Sequence, residues 1–362
     1  MARALPKELF ALTRPLVDWL AQDAQWRRLP WRTRAFFRFQ GMLGSVNARL
    51  AGLSVPPSAR QQPAPPARLL IVGPWRSGTT ALHELLFAAG DWVTPRTWQC
   101  MAAPTLGLVQ HRGGGQRARP MDDRQVSVES PQEDEFAMLS LGGSSAYRGF
   151  LQPHRLAELH GTLQQETWVG DRAWFELWER FLDAVVATAG KPAGTPLLLK
   201  SPNHTFRLRA MFAGQQEARF VWVARDPAAV LASNRRMWTA MAGSYGLSAL
   251  DPAALDAFLV EALLASARAL RECLADVSPR RFAVVSQQAL RQDPSGVVDS
   301  LSRWLADDPR FVLSSARCGA AGQQGAAQAD ESLDVPTGLE HAVESLRSAQ
   351  EAALERFAPR PA

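Results

Sequence analysis

The residues Gly73–Pro74–Trp75–Arg76–Ser77–Gly78–Thr79–Thr80 have the composition of a loop built to hold an anion. Their Gly-x-x-x-x-Gly interval is that of a Walker A loop, with Thr79 where its lysine would stand. Such a loop, entering a helix, points backbone N–H groups and the positive helix end at an anion. Ser77, Thr79 and Thr80 add hydroxyl donors, and Arg76 adds a planar fork suited to phosphate or sulfate oxygens. A plain helix N-cap at Ser77 or Thr79 would use the same residue types. A nucleoside triphosphatase needs the lysine and a Mg²⁺ ligand pair for its γ-phosphoryl group. Here the charge sits in the loop as arginine. Two later segments share this character: Lys200–Ser201–Pro202–Asn203–His204, and Arg225–Asp226–Pro227 with Ser233 eight residues after the arginine.

Each segment follows a short apolar run. Leu69–Val72, Pro196–Leu199, Phe220–Ala224 and Phe282–Val285 read as buried strands. Helical patterns lie between them: Leu82–Ala89 closed by Gly90, Thr205–Phe212, a helix after Asp226–Pro227 running through Leu231, Pro252–Ala275 and Val297–Leu305. This alternation predicts an α/β fold, a P-loop-like parallel sheet flanked by helices, with an N-terminal helical arm. In such a sheet ligands collect outside the carboxyl ends of the strands, so the three segments are expected on one edge.

The ordered motifs Arg76–Thr80, Lys200–Ser201–Pro202 and Phe220–Asp226 with Ser233 resemble sulfotransferases that use 3′-phosphoadenosine 5′-phosphosulfate (PAPS). The similarity runs over residues 68–306, is greatest to the bacterial branch, and extends distantly to tyrosylprotein sulfotransferases. The resemblance implies that Arg76, Ser77, Gly78, Thr79 and Thr80 bind the 5′-phosphosulfate, and that Arg225 with Ser233 binds the 3′-phosphate. It implies an in-line, metal-independent sulfuryl transfer to a hydroxyl or amine, governed by positioning and charge stabilisation. Lys200, one of only three lysines in the chain, is the candidate to stabilise the leaving oxygen.

A base must remove the acceptor proton. Glu133, in the acidic run Glu133–Asp134–Glu135 before an apolar stretch, is the first candidate, since the bacterial family carries a Pro-x-Glu-acidic-acidic segment there. An acidic first helical turn would look the same. His204, four residues from Lys200, is the second. Relatives often have Trp-Glu after the first helix, whereas this chain has Trp98–Gln99, and an amide abstracts no proton. Gln99 therefore keeps a non-catalytic PAPS-binding protein in view beside a P-loop kinase or triphosphatase.

Composition sets the frame. The chain has 362 residues and a formal charge of +5, but residues 1–60 hold ten cations against three acids, a net of +7. The remainder is thus mildly acidic, which argues against nucleic acid as the partner of the core. Residues 4–50 alternate aromatic and arginine-rich faces, read either as an arm meeting a membrane or protein surface or as helices packing on the core. The expected division is 1–66 (basic arm and Pro-rich linker), 67–313 (α/β domain) and 314–362 (flexible tail and last helix). Three scattered cysteines and the lack of a long apolar run suggest a cytoplasmic protein without a structural metal. Five tryptophans between residues 91 and 180 suggest an acceptor pocket for a small molecule, lipid or glycan.

Overall fold

The structure is a computed structural model describing residues 11–53, 66–106, 108, 116–118, 125–318, 335 and 338–359. Most of the Pro-rich linker and residues 319–334, expected as the flexible tail, lie outside the described residues. Strands β1 (Arg68–Val72), β4 (Leu197–Lys200), β5 (Arg219–Ala224) and β6 (Phe282–Ser286) form one parallel sheet in the order β4-β1-β5-β6. Two two-residue strands, β2 (Arg117–Ala118) and β3 (Gln125–Val126), pair separately as an antiparallel hairpin.

The long strands are apolar at nearly every position because both sheet faces are covered. Leu69, Ile71, Leu198, Val221 and Val223 point to one face. They meet α4 (Thr79–Ala89) and, further along, α14 (Pro294–Trp304), through Leu82, Leu86, Val298 and Leu301. Leu70, Val72, Leu199, Phe220 and Trp222 point to the other face. There they share a core with α9 (Arg172–Thr188), α11 (Pro227–Tyr245), α12 (Pro252–Asp276) and α15 (Glu340–Phe357). α15 buries Val343, Leu346 and Phe357 in that core, so the last helix is part of the packed domain.

The N-terminal helices α1 (Arg14–Ala21), α2 (Ala24–Arg28) and α3 (Trp31–Leu50) join the same core. Leu16, Val17 and Leu20 of α1 are buried. Thr13 donates its N–H and its hydroxyl to the Ser140 carbonyl, at 3.1 and 2.9 Å, tying α1 to the end of α6 (Asp134–Ser140). Packing is continuous across the expected boundaries at 66 and 313.

Three helices begin alike. Asp226, Asp251 and Asp293 accept from Ala229, Ala253 and Gly296 N–H at 2.9, 3.0 and 2.9 Å, and the following proline opens the helix. Asp is a good N-cap and Pro suits the first helical position, so Asp-Pro starts helices rather than joining chemistry. The expected helix over Thr205–Phe212 is instead a 3₁₀ turn, Pro202–Arg207, followed by α10 (Leu208–Gly214). Ser201 caps the turn, accepting the Asn203 N–H at 3.2 Å.

Candidate active site

Strand register brings the three segments to one edge. Lys200 pairs with Ile71, two residues before the loop opens, and Val72 pairs with Trp222 on the other side. The loop then turns sharply: Gly73, Arg76 and Gly78 have φ of 133°, 67° and 106°. A Cβ on Gly73 would lie 2.9 Å from the Val223 carbonyl, so only glycine fits. Arg76 is the one non-glycine residue with positive φ among the described residues, a conformation that persists only where neighbours hold it. They do so here. Arg225 Nη1 donates to the Arg76 carbonyl at 2.7 Å, and Asn234 Nδ2 donates to the Trp75 carbonyl at 2.8 Å. Thr205 Oγ1 both accepts from the Gly73 N–H and donates to its carbonyl, each at 2.9 Å.

The Arg76 side chain leaves the loop and donates through Nε to Ser233 Oγ of α11 at 3.1 Å. Arg76, Arg225 and Ser233 therefore form one basic corner. Ser77, Gly78, Thr79 and Thr80 remain as the lining of the loop and the first turn of α4. The Ser77 hydroxyl is buried without a hydrogen-bond partner among the described residues. Leaving such a group unpaired costs about 1–3 kcal/mol, and a loop made to receive anionic oxygens is where it is tolerated. A guanidinium group from the glycine-rich turn, a second from the end of β5 and an orphaned hydroxyl make this corner suited to anionic groups.

The three consecutive acids pair one to one with three side chains of the Lys200 segment. Lys200 Nζ lies 2.7 Å from Glu133 Oε1. His204 Nε2 lies 2.9 Å from Asp134 Oδ2, and Arg207 holds both oxygens of Glu135 at 2.6 and 2.9 Å. These pairs differ in access. Asp134, Glu135 and His204 are all 0 % exposed and Arg207 is 1 %, whereas Glu133 is 9 % exposed. Arg207 is also sandwiched between the rings of Trp168 and Trp174, 4.1 and 4.0 Å from their centres. The inner two pairs are sealed supports, and the outer pair borders the loop. Lys200 Nζ reaches Thr80 Oγ1 at 3.3 Å, so one ammonium touches both the carboxylate and the anion loop.

The environment of Asp134 keeps it ionised. Burial alone would raise its pKa, but the attraction and hydrogen bond of His204 and the Trp178 indole bond, 2.7 Å long, hold it below its ordinary value. His83, on the first turns of α4, is driven the other way. Burial, then the positive charges of Lys200 and Arg96, push its pKa well below the ordinary value, and its Nε2 meets Thr94 Oγ1 at 2.9 Å. It is a neutral packing residue.

His204 and Gln99 thus stand apart from the loop. His204 is boxed by Asp134 and the rings of Trp174 and Trp178 and is fully buried. Gln99 accepts the Arg96 N–H at 2.8 Å and donates to Thr188 at 3.0 Å, so both ends of its amide serve the fold around α5 (Thr97–Met101). Sequence reasoning missed Tyr147, whose hydroxyl donates to Glu133 Oε2 at 2.7 Å. Its ring stacks on Phe150 and faces Trp75 of the loop. The scarcity of tyrosine, two against twelve tryptophans, was the available signal. Asn234, Thr205 and Arg207 were also missed, because each acts through the fold.

Comparison with known proteins agrees with this geometry. A family model described as "Sulfotransferase family" matches residues 67–307. The omega-hydroxy-beta-dihydromenaquinone-9 sulfotransferases Stf3 of Mycobacterium bovis and Mycobacterium tuberculosis are each 30% identical over 242 residues, 66% of this chain. The match spans 62% of the length of those relatives. Among solved structures, sulfotransferase STF9 from Mycobacterium avium superposes with a TM-score of 0.63 at 19% identity, covering 97% of both chains. STF1 from M. tuberculosis gives 0.58 at 18% identity, covering 92% of this chain and 90% of that one. These two likenesses speak for the fold, while the matched model spans the loop, the Lys200 segment and the Arg225 corner together: the chain belongs to the sulfotransferase family.

Proposed function

We propose that the protein transfers a sulfuryl group from PAPS to a hydroxyl on a lipophilic small molecule, without a metal ion. The observation that carries this is the Lys200 ammonium, set 2.7 Å from Glu133 and 3.3 Å from Thr80 at the rim of an anion loop. Bound PAPS supplies an activated sulfuryl group whose leaving oxygen belongs to a phosphate. Ser77, Gly78, Thr79 and Thr80 hold its 5′ end. Arg76, Arg225 and Ser233 hold the 3′-phosphate, Arg76 moving to that corner because its side chain already points there. Lys200 leaves Glu133 to meet the oxygen that gains charge. Glu133, released from the ammonium and oriented by Tyr147, takes the proton of the acceptor hydroxyl. The cationic roles are filled by side chains, which supports the metal-independent reading.

A lipophilic acceptor is supported by the relatives named for a hydroxylated menaquinone. It also agrees with the aromatic surround of Glu133, where Tyr147, Phe136, Phe150 and Trp75 neighbour one another. The test has two arms. The bisphosphate left when PAPS gives up its sulfuryl group, 3′,5′-adenosine bisphosphate, should raise the melting temperature in the presence of EDTA, and labelled sulfate from PAPS should appear on hydroxylated prenylquinones. Stabilisation by ATP with Mg²⁺ but not by the bisphosphate would overturn the donor. Transfer to sugars alone would overturn the acceptor class.

A further inference from the structure

The helix α3 is apolar on both sides. At 100° per residue, Phe37, Gly41, Gly44 and Ala48 fall on one face, and all four are buried. Gly41 and Gly44 allow α1 to come close: a Cβ on Gly41 would lie 2.8 Å from Val17 Cγ2, and one on Gly44 would overlap the Leu12 carbonyl. This contact fixes how α3 is rotated. The opposite face, spanning an arc of roughly 120°, carries Trp31, Phe39, Met42, Leu43, Val46 and Leu50. Trp31 is 68% exposed, Phe39 and Met42 56%, and Leu50 70%. Of the eleven exposed large apolar side chains among the described residues, seven lie on this one helix. Scattered exposed apolar residues are ordinary, but a continuous stripe of them is a binding surface.

The charge carried by α2 and α3 themselves is of one sign. From Ala24 through His83 the sequence holds nine arginines, no lysine and no acid. Arg27, Arg28, Arg32, Arg38 and Arg49, on α2 and α3, are exposed. An apolar stripe flanked by arginine is the pattern of a helix lying in a bilayer interface, its ring side chains among acyl chains and its guanidinium groups at anionic headgroups. A second copy of this chain fits poorly, because pairing the stripe with itself would bring two arginine clusters together, and α2 and α3 hold no acid to offset them. The helix also packs on the 3₁₀ turn Ala103–Thr105, and α1 on the end of α6, the helix that opens at Glu133. The surface therefore belongs to the half of the molecule that carries the proposed base.

We propose that the outer face of α3 docks the protein on an anionic membrane surface. This goes beyond the sulfuryl-transfer reading and does not depend on it.

The test is flotation of the full chain with vesicles of phosphatidylcholine alone, and with vesicles of equal parts phosphatidylcholine and phosphatidylglycerol. The protein should float with the anionic vesicles, and raising salt from about 0.1 to about 0.5 M should weaken binding as the charges are screened. The double variant Phe39→Ser/Val46→Ser should bind at least about tenfold less tightly while melting as the wild type does. Arg32→Gln/Arg38→Gln keeps the apolar stripe, tests the charge independently and should also weaken binding. Absence of flotation, equal flotation with neutral vesicles, or wild-type binding by the Phe39/Val46 variant would each overturn the proposal. So would a wild-type dimer that floats with neither vesicle and that the Phe39/Val46 variant converts to monomer, since the stripe would then be a self-association surface.

Discussion

Replacing Glu133 by Gln tests the proposed chemistry with the smallest change of shape. The amide can still accept from Lys200 and still meet the Tyr147 hydroxyl, contacts that are both 2.7 Å long in the native protein. What is lost is charge. Hydrogen bonds to a charged group contribute about 1.5–3 kcal/mol and neutral ones about 0.5–1.5, so the fold should lose only about 1–2 kcal/mol. Catalysis should lose far more. Removing a general base costs about 10²–10⁴ in rate, or roughly 2.7–5.4 kcal/mol in the barrier. The assay is kcat with saturating PAPS, alongside calorimetric binding of 3′,5′-adenosine bisphosphate, which should be unchanged. A phenol acceptor already ionised at the assay pH needs no base and should restore most of the activity of Glu133→Gln. Lys200→Met, lacking the group that stabilises the leaving oxygen, should stay inactive with that same phenol. If Glu133→Gln keeps kcat within about fivefold, or if the phenol rescues neither or both variants alike, Glu133 is not the base.

Further outcomes follow from the same contacts. His204→Gln, in a pair that is 0 % exposed on both sides, should lower stability in urea melts yet leave kcat of the folded protein within about tenfold, opposite to Glu133→Gln. Arg207→Ala should cost about 3–5 kcal/mol in the same melts by stranding Glu135, and Arg207→Lys should recover little, because one ammonium cannot replace a two-pronged fork held between two rings. Asp134 has a folded pKa below its ordinary value of 3.8, so its contribution is present above that value and lost as pH falls through the folded pKa. Asp134→Asn should therefore be less stable than wild type at neutral pH, with the gap closing in melts taken progressively below pH 3.8. Ser77→Ala should leave the free protein as stable or slightly more so, since it removes an unpaired buried hydroxyl, while weakening calorimetric binding of the bisphosphate.

Much of the framework was legible in the sequence because it is local. An apolar run such as Leu69–Val72 can only be buried on both sides, and its end at Gly73 announces the turn. Asp226–Pro227, Asp251–Pro252 and Asp293–Pro294 mark three helix starts with residues that act within a few positions of themselves. Parallel strands separated by helices then dictate that Arg76, Lys200 and Arg225 share an edge, whatever the intervening residues do.

The division of labour inside that edge required the tertiary structure. The sequence ranks Glu133 ahead of His204 as a base but leaves both open. What separates them is how α6 docks against the turn after β4, across partners 67 to 72 residues apart, which leaves one ion pair at the loop and seals two behind it. Tyr147 reaches Glu133 only through the packing of Phe136, Phe150 and Trp75. The aromatic and arginine pattern of the first fifty residues allowed both a packed subdomain and a surface arm. The packed reading describes one face of α3, which the close approach at Gly41 and Gly44 buries, and that contact turns the other apolar face outward. Composition and periodicity establish which elements exist and which residue types reach the edge. Burial, which decides whether a charge is a support or a reagent, is a property of the whole packed molecule.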